Sequence, residues 1–296
     1  MYDHIAANKR KTWILIILVA GMIIGLSGLY GYIQGINPTG MIIIGTIIAC
    51  VHALVSYFLA DKVVLLTSGA KQISKQTAPE LWNIVENLCI ANGQPVPAIY
   101  IIEDESPNAF ATGRDPEHAA IAFTTGILKI LDKQELEGVT AHELSHVKNY
   151  DIRVMTIVVV LVGVIMLLAD LMLRTMVFGR REERGNSAAV LALVGLGLAI
   201  LSPLFAQLLK LAISRSREYL ADASGSMLTR YPEGLARALE KIAQAAKPMK
   251  QANHATAHLF IANPFGNHPR RASLAQLFST HPPVEERIRR LRKMDT

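Results

Sequence analysis

The sequence predicts an α+β, multi-span α-helical membrane protein in which a polar domain is split by a membrane hairpin. Three observations carry that reading. The 296 residues are 51% hydrophobic and only 18% charged, with a mean hydropathy of +0.30; an ordinary soluble domain is about a quarter charged. Four apolar runs, Trp13–Ile33, Met41–Ala60, Ile152–Leu173 and Ser187–Leu209, each reach the roughly 20 residues of helix that cross about 30 Å of hydrocarbon. The polar stretches between and after them mix strand-like and helix-like segments. The predicted organisation is an N-terminal membrane hairpin (1–64), a first part of the polar domain (65–151), a second membrane hairpin (152–210) and a second part of the domain (211–296).

The first run is too long for the core of a signal peptide, which takes about 7–15 residues, and no small-residue cleavage site follows it. It reads as an anchor. Lys9, Arg10 and Lys11 precede it, whereas the connector "QGINPTG" to the second run carries no charge. Positive-inside bias therefore puts the N-terminus and the polar domain in the cytoplasm. The connector "RTMVFGRREERGN" opposes this, with Arg174, Arg180, Arg181 and Arg184 against Glu182 and Glu183. Either the earlier spans set the orientation, or the second hairpin enters without crossing. The net charge of +6 suits an anionic lipid surface and plain solubility equally. Nucleic acid is excluded as a partner, because no aromatic platform interleaves the basic residues. Cys50 and Cys89 are too few and too far apart for a disulfide framework or a zinc finger.

Within the polar domain, "TAPELWNIVENLCIANG" predicts a helix capped by Thr77, with Pro79 in its first turn and Gly93 at its end. "PAIYIIED" and "HAAIAFTTGIL" predict strands. Asp132 followed by Glu135 is a capping box, opening a helix that runs through "KQELEGVTAHELSHVKNYD". "LKLAISRSREYLADASGSML" predicts another helix, and "PPVEERIRRLRKM" a charged helix after two prolines.

The chemistry gathers on two of these helices. In "HELSH", His142 and His146 stand four residues apart, so both rings leave one helix face about 6 Å apart. That spacing suits a zinc ion, and Glu143 lies where it can reach a water beside the metal. A catalytic zinc needs a third protein ligand. "SRSREYLAD" offers Glu218 as that ligand, with Asp222 one turn on to orient a ligating histidine. The alternative for both carboxylates is an exposed ion pair with Arg215 or Arg217.

"HELSH" followed by the "EYLAD" helix resembles the gluzincins. More narrowly, "NAFATGR", "AHELSHVKNYD", "SRSREYLAD" and "STHPPVEERIRRL", in this order and with four apolar runs, resemble the HtpX family of bacterial membrane proteases, which is related to the CAAX prenyl proteases. The resemblance covers essentially the whole chain. It implies a cytoplasmic, zincin-like metalloprotease domain and a zinc endopeptidase of the bacterial inner membrane. Such an enzyme acts in quality control and the stress response on misfolded or damaged membrane proteins. It also implies one Zn2+ per chain, held by His142, His146 and Glu218, with Glu143 as the catalytic glutamate. Asn108, Ala109, Phe110 and Ala111 are then expected to form an exposed edge that pairs with the substrate backbone, or a turn with Phe110 in the core, and both can hold. His281 is expected to stabilise an oxyanion or gate the metal, or else to serve as a structural loop residue. His118, His254, His258 and His268 read as surface residues, and Asp170 should face the helix bundle or the membrane boundary. The partners expected are membrane-protein substrates and the lipid bilayer, with room for a homo-oligomer.

If the two metal-bearing helices run straight out of the bilayer, the site sits about 9 Å above the apolar boundary at Ile152 and about 14 Å above Leu209, at 1.5 Å rise per residue. Two rival readings stay open. An intramembrane zinc protease of the site-2 type would bury the histidine pair in a span, which the charges around it (Lys133, Glu135, Glu137, Lys148, Asp151) oppose. A membrane adaptor or holdase with a vestigial site is the other.

Overall fold

A computed structural model of the chain describes residues 2–33, 35–178, 195, 215–253, 255–266 and 282–294. It begins with a helical hairpin, α1 (Tyr2–Ile33) and α2 (Pro38–Phe58). Asn37 caps α2 by accepting from the Thr39 amide at 3.0 Å, and Pro38 occupies the first turn, where its missing N–H costs nothing. Along α2, Ile43, Ile47, Val51 and Leu54 are each more than half exposed. A continuous apolar stripe of this kind needs hydrocarbon or a partner to cover it. Both helices are long and apolar enough to cross a membrane.

The polar domain is a four-stranded sheet wrapped by helices. Helix α3 (Ala60–Thr67) leads into β1 (Ala70–Gln72), and α4 (Pro79–Asn92) follows, closed by Gly93 in the left-handed conformation. Next come β2 (Ala98–Ile102), β3 (Ala109–Gly113) and β4 (Ala119–Thr124), then the short α5 (Thr125–Ile130) and α6 (Lys133–Lys148). The sheet order is β1-β2-β4-β3, with β2 and β4 parallel and both outer pairs antiparallel. The later helices are α7 (Asp151–Phe178), α8 (Arg215–Thr229), α9 (Pro232–Gln244) and α10 (Val284–Arg292).

Both faces of the sheet are covered. On one, Ile99, Ile121 and Phe123 pack with Leu144 of α6, Leu239 of α9 and Leu291 of α10. On the other, Phe110, Ala120 and Ala122 meet Val64 of α3, Met155 and Val159 of α7 and Phe260. A third cluster joins α1 to α7 through Ile16, Val19, Ile23, Ile157 and Leu161.

Most expected elements are present, with four corrections. The capping box of α6 forms as read, but Thr77 does not cap α4; its hydroxyl accepts from the Ser74 amide at 2.9 Å, and Ala78 stands at the cap. Strand β1 and helix α9 lie outside the expected elements, and "HAAIAFTTGIL" ends in helix α5 and not in strand. His258 is buried rather than on the surface, its Nε2 3.0 Å from the Met155 carbonyl.

The fourth correction concerns the straight rise from metal site to membrane. Helix α6 ends at Asn149, Tyr150 adopts φ +58°, and α7 sets off from Asp151 at 81° to α6. Moreover, every residue from Ile152 to Leu161 is buried between α1, α3 and the sheet. Apolar sequence here signals protein core, and exposed residues on α7 begin at Gly163. Among the described residues, two helices are long and apolar enough to span, or three if the bent α6–α7 pair counts as one. Asp170, on the later part of α7, is exposed. Apart from Gly195, the fourth run lies outside the described residues.

Candidate metal centre

Helix α6 carries His142, Glu143 and His146, all buried although the helix bears charge at both ends. It can enter the core because its neighbours leave room for it. A Cβ on Gly225 of α8 would lie 2.9 Å from the His142 amide nitrogen, so only glycine lets the two backbones come this close. That contact sets Glu218, two turns earlier on α8, against the histidine pair.

Ligand atoms of His142, His146 and Glu218 all lie within 4.8 Å of one another. The two Nε2 atoms are 3.3 Å apart. Glu218 Oε1 is 3.4 Å from His146 Nε2, and Oε2 is 3.8 Å from His142 Nε2. A tetrahedral ion with bonds of about 2.0–2.2 Å spaces its ligands by about 3.3–3.6 Å. Two nitrogens and a carboxylate at these separations fit a metal ion, and a cation also relieves the crowding of their lone pairs.

Each histidine is held from behind by a carboxylate. His142 Nδ1 lies 3.0 Å from Asp222 Oδ1 and His146 Nδ1 lies 3.1 Å from Asp151 Oδ2. With Nδ1–H donating to the carboxylate, the lone pair of each ring sits on Nε2 and points at the shared centre. Asp222 is clamped in turn by Arg287 of α10, whose Nε and Nη2 donate to its two oxygens at 2.9 and 2.7 Å. Burial pushes the Asp222 carboxyl up, but the Arg287 charge and the His142 ring outweigh it and bring it down to about 2. Burial opposes a charge on His146 too. The Asp151 hydrogen bond and the negative charges of Glu218, Asp151 and Glu143 prevail, lifting the ring to about 9. The centre is thus a site of negative potential that attracts a cation.

The ion-pair alternative for "SRSREYLAD" does not hold for its carboxylates, since Glu218 and Asp222 turn inward. Arg287 and Asp151 are functional neighbours that the motifs passed over. Arg287 left a trace, since it falls on the stripe Val284, Arg287, Ile288, Leu291, an arginine in an apolar face. His281, His254 and His268 lie outside the described residues. His118 is exposed and pairs with Asp115.

Strand β3 is an outer strand of the sheet, but not an exposed one. Asn108, Ala109, Phe110 and Ala111 are all buried. The register and the bond from Thr124 N to Asn108 O turn Ala109, Ala111 and Gly113 outward. Ile261 N already donates to the Ala109 carbonyl at 2.9 Å, and the Asn108 side chain exchanges hydrogen bonds with the Ala262 backbone. The chain's own segment Leu259–Ala262 therefore lies along part of the edge. This corrects the expectation of an open edge.

Comparison with known proteins agrees with this architecture. The profile of peptidase family M48 matches residues 75–295. The chain belongs to peptidase family M48. Relatives named "Protease HtpX homolog" include those of Tropheryma whipplei strain TW08/27, 48% identical over 99% of this chain and 98% of its own length. That of Dictyoglomus thermophilum is 46% identical over 99% and 94%, and that of Streptococcus gordonii is 42% identical over 99% and 100%. Among solved structures, Ste24p from S. mikatae superposes with a TM-score of 0.51 at 20% identity, over 98% of this chain and 67% of that one. At this identity the likeness speaks for the fold alone. This M48 member is a metallopeptidase with apolar helices suited to a membrane.

Proposed function

We propose that this M48 peptidase is a zinc-dependent endopeptidase of the bacterial inner membrane that cuts misfolded or damaged membrane proteins near their cytoplasmic ends. The observation that carries the reading is the convergence of His142, His146 and Glu218 beside Glu143 at the end of a domain anchored by apolar helices. Those three side chains would hold one zinc ion, which would supply Lewis acidity at the scissile carbonyl. Glu143 is the base that takes a proton from the attacking water and passes it to the leaving amine. Asp222 and Asp151 keep the two rings in the ligating tautomer. The strand Asn108–Ala111 offers backbone groups for β-augmentation by the substrate, with the Leu259–Ala262 segment giving way along it, and His281 assists at the oxyanion or as a gate.

The N-terminus and both parts of the domain are assigned to the cytoplasm, with a second membrane hairpin between them that leaves the protein core after Leu161 of α7. A bent α6–α7 junction keeps the site in water while its substrates remain tethered in lipid.

The test uses the purified full chain with casein and an unfolded membrane protein as substrates. The native protein should carry about one zinc per chain, and chelation should stop cleavage. Glu143→Gln should retain that zinc and cleave nothing. Loss of metal in Glu143→Gln would mean that Glu143 is a ligand. A native protein that holds no zinc and cleaves neither substrate would end the reading in favour of a vestigial site, and cleavage that persists at full rate without metal would end it in favour of a metal-independent protease.

A further inference from the structure

The N-terminal helix does more than approach the membrane. Its first turns carry Asn8, 2% exposed, into the back of the metal centre. Asn8 Nδ2 donates to Asp151 Oδ1 at 2.8 Å and to the Asn149 carbonyl, at the C-cap of α6, at 3.1 Å. Asn8 Oδ1 accepts from Arg217 Nη1 at 2.8 Å, and the same nitrogen lies 3.3 Å from Asp151 Oδ1. Arg217 is the chain neighbour of Glu218. One amide thus touches the end of the helix that carries both histidines, the carboxylate behind His146, and the residue beside the third candidate ligand.

Chemistry fixes the amide's orientation. The carbonyl and the carboxylate only accept and the guanidinium only donates, so turning the amide over would oppose like groups on three sides. Neither aspartate nor leucine, which share its branching, offers a donor and an acceptor at once. Asp151 is left with one oxygen held by Asn8 and Arg217 and the other directed at His146 Nδ1.

We propose that Asn8, on the N-terminal membrane helix, is a positioning residue for the metal centre, acting through Asp151 on the ring of His146. This rests on His146 being a zinc ligand. The site then reaches full metal affinity only when α1 is docked, which links membrane assembly of the chain to its competence as an enzyme.

The test is zinc affinity of the full-length protein in detergent, measured by competition with a chelator, alongside the visible spectrum of the cobalt-substituted form. Asn8→Leu keeps the volume and removes every hydrogen bond, and Asn8→Ala serves if the leucine does not fold. The variant should bind zinc about 10–100-fold more weakly, the range for lost support behind a ligand. Its cobalt bands should shift, and kcat should fall more than KM rises. Val19→Ala loosens the same α1–α7 contact at a residue 1% exposed but away from Asp151, and should leave affinity and spectrum unchanged. In a double-mutant cycle, Asn8→Leu should add little to Asp151→Asn. Native affinity and spectrum in the Asn8 variants, equal losses in Val19→Ala, or additive losses with Asp151→Asn would each overturn the proposal. Zinc binding by native protein that survives His146→Ala would overturn the underlying ligand assignment instead.

Discussion

The two histidines of α6 sit one turn apart, yet they are supported from opposite ends of the chain. Behind His142 stands Asp222, gripped at both oxygens by Arg287 of the tail helix. Behind His146 stands Asp151, held at one oxygen by Asn8 of the first helix and, at a longer 3.3 Å, by Arg217. The first support is a buried bidentate ion pair inside the polar domain, whose guanidinium also lies 3.9 Å from Glu218 Oε2. The second is a shared arrangement in which a neutral amide stands in for part of a cation. The difference teaches that equivalent ligands need not have equivalent robustness. One side depends on a single buried guanidinium, and the other spreads its dependence over Asn8 and Arg217 on two further helices.

The comparison can be broken most forcefully at Arg287. Arg287→Leu leaves the Asp222 carboxylate buried without its cation, and unpairing such a charge costs about 3–5 kcal/mol. Arg217→Leu should cost clearly less, because Asn8 remains on Asp151. Chemical unfolding of the metal-free protein would measure both, and equal losses would dissolve the contrast. A middle-sized effect sharpens it. Asp222→Asn and Asp151→Asn each keep the shape but weaken the hold on one ring, and each should lower zinc affinity by about 10–100-fold. If one of the two binds zinc as the native protein does, only the other histidine is set by its carboxylate. The smallest effect is a control. Asp132→Ala removes the cap that accepts from the Glu135 amide at 3.0 Å. It should cost about 1 kcal/mol of stability and leave zinc affinity as it was. A drop in affinity there would show that any loosening of α6 reaches the site.

Part of this was legible beforehand and part was not, for physical reasons. "HELSH", "EYLAD" and the Asp132–Glu135 box are local patterns, in which spacing along one helix fixes which side chains share a face. The partners of Asp222 and Asp151 come from residues 65 and 143 positions away, and no periodicity links them. Asn8 is a polar residue before a span and belongs to none of the motifs. The break at Tyr150 had no glycine or proline to announce it. The apolar run from Ile152 read as a lipid face because hydropathy cannot tell lipid from the protein core, and here α1 and the sheet supply the cover. The burial of His258 is set by a distant partner, the Met155 carbonyl of α7, which no local spacing announces. The three-residue β1 is too short to show alternation.

The contact at Gly225 has one further consequence. Because α6 and α8 meet backbone to backbone there, the gap between the histidines and Glu218 is set by the packing of two rigid rods, before any ion arrives. The centre then behaves as a gauge of fixed aperture. A cation with bonds near 2.0–2.2 Å drops in without moving the helices, whereas one with bonds of about 2.3–2.6 Å, such as calcium, would have to pry them apart. Selection by ionic radius would thus come from a residue that has no side chain at all.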